Sequence, residues 1–196
     1  MTRIDPVVGD HLAEHAAVVA AVKGALQGAI TELAASVLGT LRAGGTLLFC
    51  GNGGSAADAQ HLAAEYVVRF QRERRPAAAL ALTVDSSMLT AAGNDYGFDS
   101  VFERQVHALS RPGDLLMLHS TSGESENLIR AAAAATERGV STAALLAKGG
   151  GRLAGAVDLA LIVPTESTAR AQEMHLLIGH IVCDIVDRAL ANDTSN

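Results

Sequence analysis

The spacing of apolar residues changes at about residue 45, and it predicts helix before that point and strands after it. Over residues 7–41 the apolar side chains recur at helical spacing, which predicts one or two leading helices with Gly24 and Gly28 as possible break points. Residues 46–50 (TLLFC) form a short, wholly apolar run that ends at a glycine cluster, a pattern typical of a buried strand that leads into a loop. A helix is predicted next, from residue 55 to about 70.

The same unit, an apolar run followed by a helix, recurs along the rest of the chain. The further predicted strands cover residues 79–84, 114–120, 141–147 and 158–164. Strands that are apolar on both faces and separated by helices predict a parallel sheet covered on both sides, with ligands beyond the carboxyl ends of the strands. The predicted fold class is therefore α/β, a three-layer α/β/α sandwich with a five-stranded parallel sheet. We interpret the charged connection at residues 72–76 (RERRP) as a solvated loop.

Composition narrows the possible functions. The 196 residues predict one domain, and a hydrophobic content of 49% excludes intrinsic disorder. The net charge of -6 argues against nucleic acid or an anionic membrane surface as a partner. Cys50 and Cys183 lie in apolar runs and are expected to be core thiols in a reducing compartment. Without a basic start followed by an apolar stretch at the N-terminus, the chain is expected to be soluble and cytoplasmic.

The first glycine-rich loop, residues 51–56, follows the first predicted strand and formally matches the dinucleotide pattern G-x-G-x-x-A. The acidic residue expected about 20 positions later is missing, and there is no phosphate-binding G-x-x-x-x-G-K-[ST] pattern, so no nucleotide cofactor is expected. Glycines still let backbone N–H groups approach a ligand, and Ser55 can cap the next helix, with Asp58 at the third position after it. The alternative is a strand-to-helix turn without a ligand.

The second loop, residues 120–125 (STSGES), places four hydroxyls at the start of a predicted helix. Hydroxyls, free N–H groups and the helix dipole together favour a phosphate ligand. The alternative is that one serine caps the helix while the others are solvated. Glu124 is tolerable in a phosphate site only if its carboxylate points outward.

Four residues of two helices suggest acid/base or metal chemistry. His61 and Glu65 share a helix face at i, i+4 spacing, and Gln172 and His180 lie about 80° apart on the last helix. His175 lies about 140° from His180, so the two histidines cannot both bind one ion from this helix. The alternatives are a surface ion pair for His61 with Glu65 and a core position for a histidine on the apolar last helix.

Together these stretches resemble a known enzyme family. The segments LLFCGNGGSAADAQHLAAEYVVRF, LTAAGNDYGFDSVFERQV, STSGES and RAQEMHLLIGHIVCDIV resemble the sedoheptulose 7-phosphate isomerases, or phosphoheptose isomerases, of the sugar isomerase (SIS) domain superfamily. The resemblance implies one flavodoxin-like SIS domain over residues 1–196, with a helical segment at 1–43 used in oligomer packing and an α/β core at 44–196. It also implies a homotetramer with active sites at the subunit interfaces.

The resemblance also implies roles for individual residues. Glu65 and His180 would carry the proton transfers, and one Zn²⁺ per subunit would be bound by His61, Glu65, Gln172 and His180. The sugar phosphate would contact Asn52, Gly53, Gly54, Ser55, Glu65, Asn94, Asp95, Ser120, Thr121, Ser122, Ser125 and Gln172. Glu124 departs from family members that carry Asn at this point of the loop.

The implied reaction is a ketose to aldose isomerisation through an enediol. A base removes a proton from C1, and an acid moves protons on the oxygens and reprotonates C2. Glu65 is the candidate base and His180 the candidate acid, and these roles could be exchanged. The alternative is a non-catalytic, tetrameric SIS-domain partner of the bacterial replication initiator. That relative lacks the glutamate and the final histidine that this chain has, so an enzyme is favoured.

Overall fold

The structure is a computed structural model and describes residues 4–193. Six α-helices and five strands form the described part of the chain. Short 3₁₀ turns lie at Phe98–Ser100, Lys148–Gly150 and Arg152–Gly155. The helices are α1 (Ile4–Arg42), α2 (Gly54–Val67), α3 (Ser86–Tyr96), α4 (Glu103–Leu109), α5 (Glu126–Glu137) and α6 (Thr168–Asp193). The strands are β1 (Leu47–Gly51), β2 (Ala79–Ala81), β3 (Leu115–His119), β4 (Ser141–Leu146) and β5 (Leu159–Ile162).

The five strands form one parallel sheet in the order β2-β1-β3-β4-β5. The predicted five-stranded parallel sheet is confirmed. The strand order changes direction between β1 and β3, and such a switch point opens a crevice beyond the carboxyl ends of the strands. The register pairs Gly51 with His119, so the two strands end level and deliver their following loops to the same crevice.

Successive residues of the strands point to opposite faces of the sheet and belong to two separate hydrophobic cores, one on each face. On one face, side chains such as Phe49 and Met117 pack against α1, α2 and α6. On the other face, Leu48 and Leu116 belong to the core that packs against α3, α4 and α5. Strands β1, β3 and β4 are buried on both faces over nearly their whole length and consist mainly of apolar residues, as the three-layer prediction requires.

Two predicted helical regions differ from the structure. The leading segment is one helix, and Gly24 and Gly28 do not break it. Each glycine costs about 1 kcal/mol relative to Ala in a helix, and packing of α1 against α6 offsets this. The region after β4 forms two 3₁₀ turns instead of an α-helix, because Gly149, Gly150 and Gly151 all have positive φ angles.

Helix α1 is unusually apolar on its outer surface. Residues Pro6–Arg42 are long and apolar enough to cross a membrane by length and composition, with a mean hydropathy of 1.3 in the most apolar window. The helix nevertheless packs on the fold, since Val22, Leu33 and Val37 are buried in the core that includes α6. Only 22% of the apolar window is buried within the chain, so much of this apolar surface faces outward.

The interpretation of residues 72–76 as a solvated loop is wrong at Arg74. The Arg74 side chain is 2% exposed and forms an ion pair with the fully buried Asp187 of α6, with 2.7 Å between Nε and Oδ1. Burial of a guanidinium requires such a partner. The connection between α2 and β2 is therefore fastened to α6 from inside the fold.

Candidate active site

The structure brings three of the four predicted metal ligands together. His61 and Glu65 project from α2 and His180 from α6, and one donor atom of each lies within 4.8 Å of the others. The two Nε2 atoms of the histidines are 2.8 Å apart, and the His61 Nε2 is 3.5 Å from the Glu65 Oε1. Two imidazole nitrogens and a carboxylate oxygen are donors that Zn²⁺ accepts, so the residues present fit such an ion.

A close approach of α6 to α2 produces this cluster. Gly179 precedes His180, and a Cβ atom at Gly179 would lie 2.6 Å from the Cδ2 of Leu62. A larger residue fits there only if the Leu62 side chain or one of the two helices moves. Gly179 therefore allows His180 to reach His61.

His180 is partly buried and lies against an aromatic ring. Burial lowers the pKa of His180, the neighbouring His61 lowers it further, and Glu65 opposes these effects. The ring of Phe70 stacks on that of His180, with 5.4 Å between the centroids. The neutral imidazole, which can take a proton or bind a metal ion, is therefore favoured at His180.

The fourth predicted ligand, Gln172, lies about two helical turns before His180 on α6. Its side-chain amide packs directly against Gly54 of the first loop, in the space that a Cβ atom of residue 54 would occupy. Gln172 also lines a cleft of about 220 Å³ between the two predicted ligand loops. It thus connects the metal-ligand helix with that cleft.

The cleft confirms that the two loops converge. It is lined by Asn52, Ser55, His119, Ser120, Thr121, Ser122, Ser125, Leu128, Thr168 and Gln172. Asn52 of the first loop and Asn127 at the start of α5 exchange two amide hydrogen bonds of 2.9 Å, which ties the loops together. Asn127 was not among the predicted site residues, because a buried amide in the first turn of a helix carries no local signal of this role.

The hydroxyls of the second loop are arranged for a ligand more than for capping. Ser125 occupies the N-cap position of α5, but its hydroxyl makes no capping hydrogen bond. The Ser120 hydroxyl accepts a hydrogen bond from the Gly123 N–H, and that of Ser122 accepts one from the Glu124 N–H. The capping alternative therefore does not account for Ser125, and the first N–H groups of a helix have no partners within it.

Glu124 points away from the cleft, as a phosphate site requires. Its carboxylate binds Arg152, with 2.9 Å between Nε and Oε2, and accepts a further hydrogen bond from the Arg152 backbone N–H. These contacts lower the pKa of Glu124, so it remains ionised. Because Arg152 neutralises it, its charge does not oppose a phosphate in the cleft.

The predicted cap at Ser55 is wrong. The N-cap of α2 is Gly53, with φ at 58°, and Ser55 is buried within the first turn, where it lines the cleft. Asp58 is also buried instead of completing a cap, and burial raises its pKa to about 6. Glycine adopts this positive φ angle at little cost, whereas a serine cap normally has an extended backbone.

Two further histidines lie beneath the cleft. His175 is fully buried, with its Nε2 at 3.2 Å from the Leu146 carbonyl, so it faces away from His180 as the helical spacing predicts. His119 ends β3, is also fully buried, and has its ring centroid 6.2 Å from that of His175. Burial, and for His119 also the neighbouring His175, lowers the pKa of His119 to about 3 and that of His175 to about 4. His119 lines the cleft but was not among the predicted site residues.

The structure does not bring Asn94 and Asp95 to the cleft within one chain. Both are exposed near the end of α3, and the Asn94 amide donates to the Asp95 carboxylate at 2.8 Å. Their predicted contact with the sugar stays a prediction, and it needs a second subunit if it is to be made.

The fold and site define an SIS-domain protein: a doubly wound parallel sheet with a hydroxyl-lined cleft at its switch point. The profile of the SIS domain family matches residues 10–147. A phosphoheptose isomerase of Rhodospirillum rubrum is 53% identical over 163 residues, which cover 83% of this chain and 87% of that protein. The chain belongs to the phosphoheptose isomerase family, whose members are sugar-phosphate isomerases.

Solved structures agree with this assignment. A phosphoheptose isomerase from Neisseria gonorrhoeae superposes with a TM-score of 0.89 at 44% identity, covering 95% of this chain and all of that one. One from Francisella tularensis gives a TM-score of 0.92 at 37% identity, covering 96% of this chain and 100% of that one. These similarities favour an enzyme and give no support to the alternative of a non-catalytic binding protein.

Proposed function

We propose that this enzyme converts D-sedoheptulose 7-phosphate into D-glycero-D-manno-heptose 7-phosphate, the first step of nucleotide-activated heptose biosynthesis. One observation carries the proposal: Glu65 and His180 meet in one cluster, and Gln172, on the same helix as His180, reaches the hydroxyl-lined cleft. An isomerase of this kind needs a base and an acid near C1 and C2, with a phosphate site at a distance. The chain provides both.

The phosphate is held by the second loop. The hydroxyls of Thr121 and Ser125 donate to phosphate oxygens, and the N-terminus of α5 supplies N–H donors and a favourable dipole. Among the described residues no lysine or arginine lines the cleft, so the donors that its walls offer a phosphate are neutral. The bound phosphate positions the sugar, and its binding energy lowers the barrier at the reacting carbons.

Proton transfer then falls to two side chains. Glu65 removes the proton from C1 of the ketose to give the enediol, and His180 moves protons on the oxygens and returns one to C2. The product is the same if His180 acts as the base and Glu65 as the acid. Asn52 and the backbone of Gly53 and Gly54 hold the hydroxyls of the sugar at the first loop.

We propose that His61, Glu65, Gln172 and His180 hold one Zn²⁺ ion per subunit, and that no nucleotide cofactor takes part. The donor chemistry of the cluster supports zinc. A zinc ion would supply Lewis-acid polarisation of the ketose carbonyl. Gln172 lies close enough to the first loop to contact the sugar as well.

The proposed assembly is a homotetramer with its active sites at subunit interfaces. An apolar groove between α1 and α6 supports it, since Ile181 and Ile185 are exposed there beside Val19 and Ile30. Such an apolar surface on a protein of this size is typical of a subunit interface. The exposure of His61, Asn94 and Asp95 supports a site completed by a second subunit.

In this assembly residues 1–43 pack between subunits and residues 44–196 form the core of a single SIS domain. The enzyme acts in the cytoplasm as a soluble protein, on a sugar phosphate and without nucleic acid or membrane. The acidic net charge and the two buried free thiols support this location.

The direct test is to add the purified enzyme to sedoheptulose 7-phosphate and follow the sugar by NMR, with and without Zn²⁺. Appearance of an aldoheptose 7-phosphate is expected, with exchange of the C1 proton into solvent. If no aldose forms under either condition, the isomerase proposal is wrong, and the non-catalytic binding protein becomes the better explanation.

A further inference from the structure

The connection between α2 and β2 runs behind the cluster of His61, Glu65 and His180. Within it, Arg74 extends its guanidinium under the end of α2 and donates to the Glu65 carbonyl at 2.8 Å and the Tyr66 carbonyl at 2.9 Å. Helix α2 ends at Val67, so these carbonyls belong to its last turn and have no partners within the helix. Arg74 therefore holds the turn of the helix that carries the Glu65 side chain.

Asp187 completes the arrangement from α6. One carboxylate oxygen binds the Arg74 guanidinium at 2.7 Å, and the other accepts backbone N–H groups of Gln71 at 3.0 Å and Arg72 at 2.6 Å. Burial alone would raise the pKa of Asp187, but these donors lower it, so the carboxylate stays ionised. Asp187 lies seven residues after His180, about two helical turns, and therefore on nearly the same side of α6.

The same connection touches the cluster directly through Phe70. Its ring stacks on His180, and Gln71, the next residue, is held by Asp187. The ion pair thus fixes Glu65 through its backbone and His180 through Phe70. Both candidate catalytic side chains are supported by a single buried contact.

We propose that Arg74 and Asp187 are positioning residues, which set the distance between Glu65 and His180 and so tune metal binding and proton transfer. The inference rests on the proposed roles of Glu65 and His180. A buried ion pair is a weak source of stability, because the desolvation of two charges offsets their attraction. A contact that orients a metal ligand from behind, in contrast, commonly changes metal affinity or activity 10- to 100-fold.

The test uses Arg74→Lys, which keeps a positive charge beside Asp187 and removes the planar fork that reaches two carbonyls. Metal-stripped enzyme is titrated with Zn²⁺ in competition with a chromogenic chelator, and kcat and KM are measured on sedoheptulose 7-phosphate. We expect the Zn²⁺ Kd to rise about 10- to 100-fold and kcat to fall by a similar factor. KM should change less than about threefold, because the phosphate loop lies on β3 and α5.

A second variant separates positioning from folding. Replacing both charges, Arg74→Met with Asp187→Leu, removes the buried ions together, which is often tolerated where a single removal is not. This variant should have a lower Tm, because backbone groups lose the hydrogen bonds that Arg74 and Asp187 provide. At a temperature where it is fully folded, it should still show the losses in Zn²⁺ affinity and kcat. The matched control is Arg42→Lys. Arg42 of α1 forms an exposed ion pair through two hydrogen bonds with Asp193, which lies on α6 like Asp187. This substitution should change neither the Zn²⁺ Kd nor kcat.

Two outcomes would overturn the inference. One is a folded Arg74→Lys enzyme whose Zn²⁺ Kd and kcat stay within twofold of the wild type. The other is loss of Zn²⁺ affinity only in proportion to loss of folded protein, in both variants, since a purely structural pair gives that result. If the wild type itself binds no Zn²⁺ but isomerises the sugar, the metal proposal fails. The kcat of the Arg74→Lys enzyme then decides alone whether Arg74 is a positioning residue. If the wild type does not isomerise the sugar, the proposed function fails.

Discussion

The imidazoles of His61 and His180 meet at 2.8 Å between their Nε2 atoms, although 119 residues separate them in the chain. Neither helix forms the cluster alone. Its geometry depends on how closely α2 and α6 pack, and therefore on residues at their contact and at the ends of the two helices. Changes in those residues should alter the chemistry without touching a candidate ligand.

Gly179→Ala should separate the two helices. The added Cβ would lie against Leu62, and overpacking of this kind costs about 1 to 3 kcal/mol. We expect a lower Tm and a kcat at least tenfold below the wild type, because His180 moves with α6. The control is Gly24→Ala in α1, where a Cβ would meet nothing within 4 Å and helix propensity should make the protein slightly more stable. Wild-type kcat in a Gly179→Ala enzyme would contradict the packing argument.

Glu65→Gln and His180→Gln should each lower kcat about 10²- to 10⁴-fold, the usual contribution of a general acid or base. Circular dichroism and gel filtration should show that the fold and assembly survive, since both side chains are partly exposed within the chain. The exposed pair His107 and Glu137, 3.9 Å apart, provides matched controls with the same substitutions. A Glu65→Gln or His180→Gln enzyme with more than a tenth of wild-type kcat would remove that residue from the proposed mechanism.

The strands could be predicted to within a few residues because a strand buried on both faces is a continuous apolar run. β1 was expected at residues 46–50 and lies at Leu47–Gly51, and the strand order follows the rule that places ligands at a switch point. The long-range contacts were beyond prediction. Arg74 lies in a run of charges that resembles a solvated loop, and its partner Asp187 is 113 residues further along the chain.

The candidate site was partly predictable for the same reason. The i, i+4 spacing of His61 and Glu65 is local, so their shared face follows from helix geometry alone. Gln172 and His180 lie on one side of the last helix by the same kind of argument. The resemblance to a family was needed to join the two pairs into one site, because no local pattern shows which helix α6 will contact. The helix cap predicted at Ser55 was wrong because the sequence pattern does not show backbone angles. Gly53 adopts a positive φ angle and takes the N-cap position instead.

Thr121→Val and Ser125→Ala should weaken substrate binding. Each removes a hydroxyl that is proposed to donate to phosphate, and a hydrogen bond to a charged group contributes about 1.5 to 3 kcal/mol. We expect KM for sedoheptulose 7-phosphate to rise about 10- to 100-fold, with a smaller change in kcat. Ser141→Ala, at the exposed start of β4, is the control and should leave KM unchanged. An unchanged KM in both loop variants would favour the alternative of solvated hydroxyls.

Ile181→Asp should disrupt the proposed assembly. Ile181 is 38% exposed in the groove between α1 and α6, and a carboxylate there would be buried without a partner at a subunit interface. Light scattering should give about four times the 20.1 kDa chain mass for the wild type and a smaller species for the variant. Val84→Asp, at an exposed apolar residue away from this groove, is the comparison. A wild-type mass of one chain would contradict the tetramer.

The contribution of His119 and His175 to the stability of the folded enzyme should decrease as the pH is lowered. Burial keeps both imidazoles neutral in the folded state, with pKa values of about 3 and about 4, whereas in the unfolded chain a histidine titrates near 6.5. The unfolded state therefore binds more protons below pH 6.5. The stabilisation is complete above that pH and is lost as the pH falls to about 4 for His175 and about 3 for His119, at up to about 1.4 kcal/mol per unit for each histidine.

His119→Leu isolates one of these contributions. Buried Asp58, whose raised pKa acts in the opposite direction between about pH 4 and 6, is present in both proteins and cancels in their difference. Urea unfolding at a fixed chain concentration, with a chelator present, should give a free-energy difference between variant and wild type that is constant above about pH 7. Below pH 6.5 that difference should change by about 1.4 kcal/mol per unit in favour of the variant. A difference that stays constant down to pH 5 would show that His119 takes up a proton as readily in the folded enzyme as in the unfolded chain. The cleft would then contain a positive charge below about pH 6.5.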